Sequence, residues 1–167
     1  MNVAFLCLGG NLGDRLANLN LTKALIKAER LTIITESNIY ETKAWGAVDS
    51  ADYYNQCIKI MTDLDAAQLM KVLLNIEQKL GRVRDENKNQ SRIMDIDVLL
   101  FNNEIIGSDL ITTPHPRLHL RQFVLKPLNE IAADIYHPVL KKTIKELLEI
   151  CTDKLSAVKI EQHVHLH

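Results

Sequence analysis

The chain of 167 residues predicts an α+β domain, a ferredoxin-like antiparallel β-sheet flanked by helices in α-β-α layers. Three observations carry this. The segments read in order as strand, helix, strand, strand, helix, strand, which is the order that arrangement uses. The first strand is an unbroken apolar run, as expected where both faces of a strand are covered. The second helix carries its own start and stop signals, so the two halves of the pattern are cleanly separated.

Residues 3–8 form the apolar run, and Gly9-Gly10 after them read as a tight turn. This strand is expected at the centre of its sheet. Residues 14–30 place Leu16, Leu19, Ala24, Leu25 and Ala28 at helical spacing with no glycine or proline between them. Residues 31–40 and 54–62 are rich in β-branched side chains and read as strands, joined by an irregular segment through Trp45-Gly46. From Asp65 the pattern Ala66, Leu69, Met70, Leu73, Ile76, Leu80 has period 3.6, with Asp65 and Gln68 spaced as a capping box and Gly81 at the stop.

Residues 82–92 hold Arg82, Arg84, Lys88 and Arg92 and almost nothing apolar, so they are expected as a loop. Residues 94–101 read as a strand, Asn102-Asn103 as a turn, and 105–113 as extended until Pro114-His115-Pro116 ends the pattern. A helix is expected over 121–133, with Pro127 giving a kink or a short opening turn, and another from Thr143, capped with Glu146. The tail, from about 160 to 167 with His163, His165 and His167, is expected to fray. One domain over 1–167 is expected, with no repeat or linker.

Lysine and arginine total 20 against 21 aspartates and glutamates, so no global field recommends a nucleic acid or an anionic membrane as partner. Cys7, Cys57 and Cys151 are far apart and set among apolar neighbours, as buried thiols in a reducing compartment usually are. No apolar run approaches the ~18 residues of a membrane span, and no basic leader opens the chain, so a cytoplasmic protein is expected.

The sharpest chemical signal is Asp95-Ile96-Asp97. In a strand, period two puts both carboxylates on one face, roughly 7 Å apart, within reach of hard cations. Ile96, Val98 and Leu100 then share the opposite, core-facing side. Magnesium binds through one or two carboxylates plus substrate phosphates, which such a pair can arrange. The cationic loop just before it has the complementary sign. A metal–triphosphate complex satisfies both, its oxygens accepting from arginine forks while the metal meets the carboxylates. Neither a P-loop nor a dinucleotide fingerprint is present, since Gly9-Gly10-Asn11-Leu12-Gly13 has the wrong spacing. His115 is equally readable as a loop histidine or a phosphate ligand. Aromatics are scarce, so Trp45, Tyr53 and Phe123 stand out, Trp45 because a large ring in a loop suggests cover for a flat ligand. Asn55 beside them has the donor and acceptor needed to read a heterocycle's edge.

Gly9-Gly10-Asn11-Leu12-Gly13-Asp14, Tyr53-Tyr54-Asn55, Gly81-Arg82-Val83-Arg84, the run from Arg92 through Asp95-Ile96-Asp97 to Phe101, and Pro114-His115 together resemble the hydroxymethyldihydropterin pyrophosphokinases over nearly the whole chain. The resemblance implies transfer of pyrophosphate from ATP to hydroxymethyldihydropterin, giving AMP and the pterin diphosphate. It implies that Asp95 and Asp97 hold two magnesium ions, and that Arg82 and Arg92 stabilise the transferring group. Glu77, Arg84, Lys88, His115 and Arg121 are then expected around ATP. Phe123 and Trp45 would sandwich the pterin, Tyr53 flank it, and Asn55 and the backbone near Thr42 read its edge. A monomer acting on small molecules is expected. Two rivals share some features: a metal-dependent nucleotidyltransferase with the same aspartate pair, and a non-catalytic ferredoxin-like RNA-binding module, for which exposed strand aromatics and a basic face are lacking.

Overall fold

The structure is a computed structural model and describes residues 1–43, 52–81 and 93–160. Strand β1 (Asn2–Gly10) is followed by α1 (Arg15–Ala28), β2 (Thr32–Glu36), β3 (Tyr40–Thr42), β4 (Tyr53–Thr62) and α2 (Ala66–Lys79). Then come β5 (Asp95–Phe101), a small hairpin of β6 (Ile106–Gly107) and β7 (Thr112–Thr113), α3 (Gln122–Ala132), α4 (Ile144–Ile150) and β8 (Ala157–Lys159). The sheet order is β5-β1-β4-β3-β8, with β2 also paired to β4. All these pairings are antiparallel. Counting β2 and β3 as one interrupted strand, the order is fourth, first, third, second, which is the ferredoxin-like arrangement.

β1 is central, as its sequence predicts, and its alternate residues feed two cores. Ala4, Leu6 and Leu8 meet Leu19 and Ile26 of α1 and Leu69, Leu73 and Ile76 of α2. Phe5 and Cys7 meet Val124, Leu125 and Leu128 of α3 and Ile144 and Leu147 of α4. Each fully buried leucine or isoleucine contributes roughly 1.5–3 kcal/mol, so both helical layers are fastened through this one strand.

The two capping boxes are where the sequence puts them. Asp65 accepts from Gln68 N at 2.8 Å while Gln68 Oε1 accepts from Asp65 N at 3.0 Å. Thr143 and Glu146 make the same reciprocal pair at the start of α4. Asp14 caps α1 by accepting from Ala17 N. The helix over α3 continues through Pro127, and a separate 3-10 turn at Leu118–Leu120 precedes it.

Four expectations need correction. The strand expected over 31–40 is two strands, because Ser37 replaces ladder bonds with its own: its Oγ accepts from Cys57 N at 2.9 Å and its carbonyl from Gln56 Nε2 at 2.7 Å. Glu130 of α3 holds the same junction, accepting from Asn38 N and from the Tyr40 hydroxyl. Leu100 does not share a face with Ile96 and Val98. The β1–β5 register shifts between Phe5 and Leu6, so Leu99 is an extra residue and Leu100 turns to the α3 side, while Phe101 returns to the α1 side. Gly9 and Gly10 are not a turn but the last residues of β1. Residues 105–113 are not simply extended but carry the β6–β7 hairpin.

Candidate active site

The end of β1 makes the floor of the site. Gly9 is paired with Asn55 on β4 and with Asp95 on β5, and Cys7, two residues back on the same face, is paired with Cys57 and Asp97. The side chains of Asn55, Asp95 and Asp97 therefore rise from one face of three adjacent strands. This is also the α3 face, beyond the point where the apolar residues of α3 cover it. A methyl group on Gly9 would lie 2.3 Å from Asn55 Oδ1, so the glycine is what lets the amide lean over the floor.

Above that floor lies a cavity of about 420 Å3. On one side it is lined by Asp95 and Asp97. On the other it is lined by Thr42 and Lys43 from the end of β3 and Tyr53 and Asn55 from β4. Arg121 and Phe123 come from the start of α3, with the Arg121 guanidinium carbon 5.4 Å from the centre of the Phe123 ring. Asp153 and Leu155, far along the chain, complete the lining. Thr42 is 3% exposed, and its Oγ1 has no hydrogen-bond partner among the described residues, a state that a polar ligand in the cavity would relieve.

His115 is placed by the bulge in β5. Its N–H donates to the carbonyl of Leu99 at 2.9 Å, and its Nδ1 accepts from Arg117 N at 3.1 Å. Accepting at Nδ1 leaves the proton of the neutral ring on Nε2. Burial pulls the pKa of His115 down, Asp97 pulls it partly back up, and Arg121 and Arg117 push it down again. His115 is thus a neutral donor within the field of Asp97 and Arg121, though it is not itself among the lining residues. Cys7 and Cys57 are free buried thiols, and burial with the neighbouring Cys7 raises the Cys57 pKa, as suits packing and not nucleophilic work. Cys151 is only half-buried.

The structure therefore brings Thr42, Tyr53, Asn55, Asp95, Asp97, Arg121 and Phe123 together around one cavity. Glu77 is buried on α2, packed on the opposite side of the sheet, and is not among the lining residues. Trp45, Arg82, Arg84, Lys88 and Arg92 lie outside the described residues. Sequence reasoning missed Asp153 and Leu155, which carry no local signal. It also missed Arg15, which donates to Glu41 at 2.8 Å and to the carbonyl of Asp52 at 2.7 Å and lies 3.8 Å over the Tyr54 ring, steadying β3 and β4 below the cavity.

The donor set suits magnesium completed by a substrate. Among the described residues no group of three or more histidine, cysteine or acidic side chains could hold a metal alone. Two carboxylates opening on a cavity are what a magnesium ion with phosphate and water ligands requires.

Residues 5–133 match the family model for 7,8-dihydro-6-hydroxymethylpterin-pyrophosphokinase. A 2-amino-4-hydroxy-6-hydroxymethyldihydropteridine pyrophosphokinase of Bacillus subtilis is 39% identical over 80% of this chain and 80% of its own length. That of Aquifex aeolicus is 36% identical over 87% of this chain and 90% of its own length. A crystal structure of Plasmodium falciparum HPPK-DHPS superposes with a TM-score of 0.68 at 17% identity, over 89% of this chain and 44% of that one, and so supports the fold. This chain thus spans less than half of that structure but most of its bacterial relatives. None of these relatives supports the nucleotidyltransferase or the RNA-binding reading. The chain belongs to the 7,8-dihydro-6-hydroxymethylpterin-pyrophosphokinase family.

Proposed function

We propose that this diphosphotransferase of folate biosynthesis moves the terminal diphosphate of ATP onto the hydroxymethyl group of 6-hydroxymethyl-7,8-dihydropterin, using Asp95 and Asp97 as its metal-holding catalytic carboxylates. The hydroxyl oxygen bonds to the β-phosphorus, the bond from that phosphorus to the bridging oxygen of the α-phosphate breaks, AMP leaves and the hydroxyl proton is lost. The observation that carries this reading is the shared floor: Asn55 and the Asp95–Asp97 pair flank Gly9 under one cavity.

Asp95 and Asp97 would hold magnesium, two ions by family likeness, each completed by water and ATP oxygens. When bound, magnesium spreads the charge of the triphosphate and favours the ionised hydroxyl. The chain's own groups do the rest. His115 offers the Nε2–H of a neutral ring to a phosphate oxygen, and Arg121 offers its fork. Arg82 and Arg92 stabilise the transferring group, with Arg84, Lys88 and Glu77 assigned to the nucleotide by the same likeness. On the other side, Asn55 and Thr42 read the polar edge of the pterin, Phe123 and Trp45 cover its faces, and Tyr53 flanks it. Holding both substrates over one floor removes most of the entropy cost of their encounter. The reading includes a cytoplasmic monomer of one domain. Among the described residues no helix is long and apolar enough to cross a membrane.

The test is to supply ATP, magnesium and hydroxymethyldihydropterin and to identify the nucleotide product by chromatography. AMP formed only when the pterin is present is expected. ADP alone, or no product from folded protein, would overturn the reading, and release of free pyrophosphate would favour a nucleotidyltransferase.

A further inference from the structure

The first turn of α3 carries two residues of the cavity wall, Arg121 and Phe123, yet nothing local caps it: Arg121 occupies the N-cap position and its side chain makes no capping bond. The cap comes from elsewhere. Asp153 Oδ2 accepts from Gln122 N at 3.0 Å, across 31 residues of chain, while its Oδ1 accepts from Leu155 N at 2.9 Å. One carboxylate thus joins the start of α3 to the turn that leads into β8. That turn is anchored again on each side. Lys126 of α3 donates to the carbonyl of Ala157 at 2.9 Å, and Ala157 pairs with Thr42 of β3, itself a cavity residue. Asp153 and Leu155 also line the cavity directly. Asp153, Leu155 and Ala157 lie beyond residue 133, where the match to the family model ends.

We propose that Asp153 is a positioning residue for pterin binding, which sets the Phe123 and Arg121 wall by capping α3 from the C-terminal segment. The inference rests on the pyrophosphokinase reading. The chemistry is that of an N-cap supplied by a distant segment of the same chain. A charged acceptor satisfies the Gln122 N–H, which would otherwise be free to swing with the helix start, and it favours the positive end of the helix dipole. Phe123 is one residue on, so a small rotation of the first turn moves its ring across the cavity. On the nucleotide side Arg121 shares this turn, whereas the carboxylates on β5 do not depend on it.

The test compares Asp153→Ala, Asp153→Asn and Thr143→Ala with the wild type. Thr143→Ala removes the local cap of α4, a helix that does not line this cavity, and so costs stability of the same kind. Pterin affinity is read by fluorescence titration with a non-hydrolysable ATP analogue and magnesium, nucleotide affinity separately, and stability by thermal unfolding. The expected result is about tenfold weaker pterin binding in Asp153→Ala, in line with the loss of a capping interaction. Nucleotide affinity should weaken less than pterin affinity, because Arg121 shares the capped turn but Asp95 and Asp97 do not; Asp153→Asn should be intermediate because one oxygen can still accept, and Thr143→Ala should bind pterin normally. If Asp153→Ala does not fold, Asp153→Asn alone carries the comparison. Wild-type pterin binding with an unchanged Asp153 variant would overturn this inference alone, as would equal weakening in Thr143→Ala. Failure of the wild type to bind pterin would overturn it together with the functional reading.

Discussion

Replacing Gly9 with alanine perturbs the pterin side of the floor without altering any group assigned to substrate. The added methyl would meet Asn55 Oδ1 at 2.3 Å, while the next atoms, Asn55 Cγ at 3.5 Å and the Tyr54 carbonyl at 3.7 Å, are at ordinary contact. Only the amide end must move, by about 1 Å to restore van der Waals distance, and rotation about its terminal torsion can supply that. The backbone has no reason to shift. The cost therefore falls on whatever the amide binds. Losing the bonds of one buried polar group is worth about 1–3 kcal/mol, which is about 5- to 150-fold in dissociation constant. Pterin titration with an ATP analogue, nucleotide titration and thermal unfolding check this together: pterin binding should weaken in that range, with nucleotide binding nearly unchanged. A folded Gly9→Ala protein with wild-type pterin affinity would refute the assignment of Asn55 to the pterin. Gly10→Ala is the internal contrast. Its methyl would lie 2.3 Å from the carbonyl oxygen of Ile93, a backbone atom, so the loss should appear as about 1–3 kcal/mol of stability.

Three further outcomes are expected. Asp97→Ala should reduce AMP formation by several orders of magnitude, on the order of what a lost metal anchor costs, with little change in thermal midpoint because Asp97 is exposed; near-normal turnover would exclude it from the metal site. Asp65→Ala breaks the capping box of α2 and should cost about 1 kcal/mol in urea unfolding with turnover preserved, since Asp65 does not line the cavity and the cap lies at the far end of α2 from Glu77. His137, buried and accepting from Val139 N and Leu140 N, has its pKa lowered by burial and then by His119. The unfolded chain takes up that proton near pH ~6.5 while the folded chain resists it. Stability from this group is therefore constant above ~6.5 and falls as pH drops below it. Thermal midpoints from pH 8 to 5 should fall less steeply in His137→Asn, which keeps an acceptor, and an equal slope would refute this.

What could be read from the sequence follows from how local each interaction is. The capping boxes at Asp65 and Thr143 close within a single turn, so their residue types announce them. The central place of β1 follows from an apolar run that no edge strand could carry. Period two correctly put Asp95 and Asp97 on one face. The same rule failed at Leu100, because the extra residue at Leu99 is a property of the β1–β5 pair and not of β5. Ser37 divides β2 from β3 by bonding to β4, and Asp153 caps a helix that begins 31 residues earlier. Neither partner can be recognised before the chain is folded. In the site, the carboxylates were legible by spacing, whereas the roles of Thr42, Tyr53 and Phe123 rested on family likeness, since one threonine, tyrosine or phenylalanine reads equally well as core.

The placement of the two half-sites has a consequence for how variants should combine. Asn55 on β4 and Asp95 on β5 are separated by two strand spacings, roughly 9–10 Å, with only Gly9 between them. Among the described residues, no side chain stands in the gap between Asn55 and Asp95 on the floor itself, because Gly9 has none. The two substrates are what bridge it. Losses on the pterin side from Gly9→Ala should therefore multiply with losses in nucleotide affinity on the carboxylate side, to within about twofold, as expected of sites farther apart than ~7–10 Å. The exception should be turnover, where both substrates are present and a misplaced pterin hydroxyl meets the phosphate held over Asp95 and Asp97. Coupling that appears in turnover and not in either binding constant would mark the floor as a rigid template on which alignment is made by the bound pair.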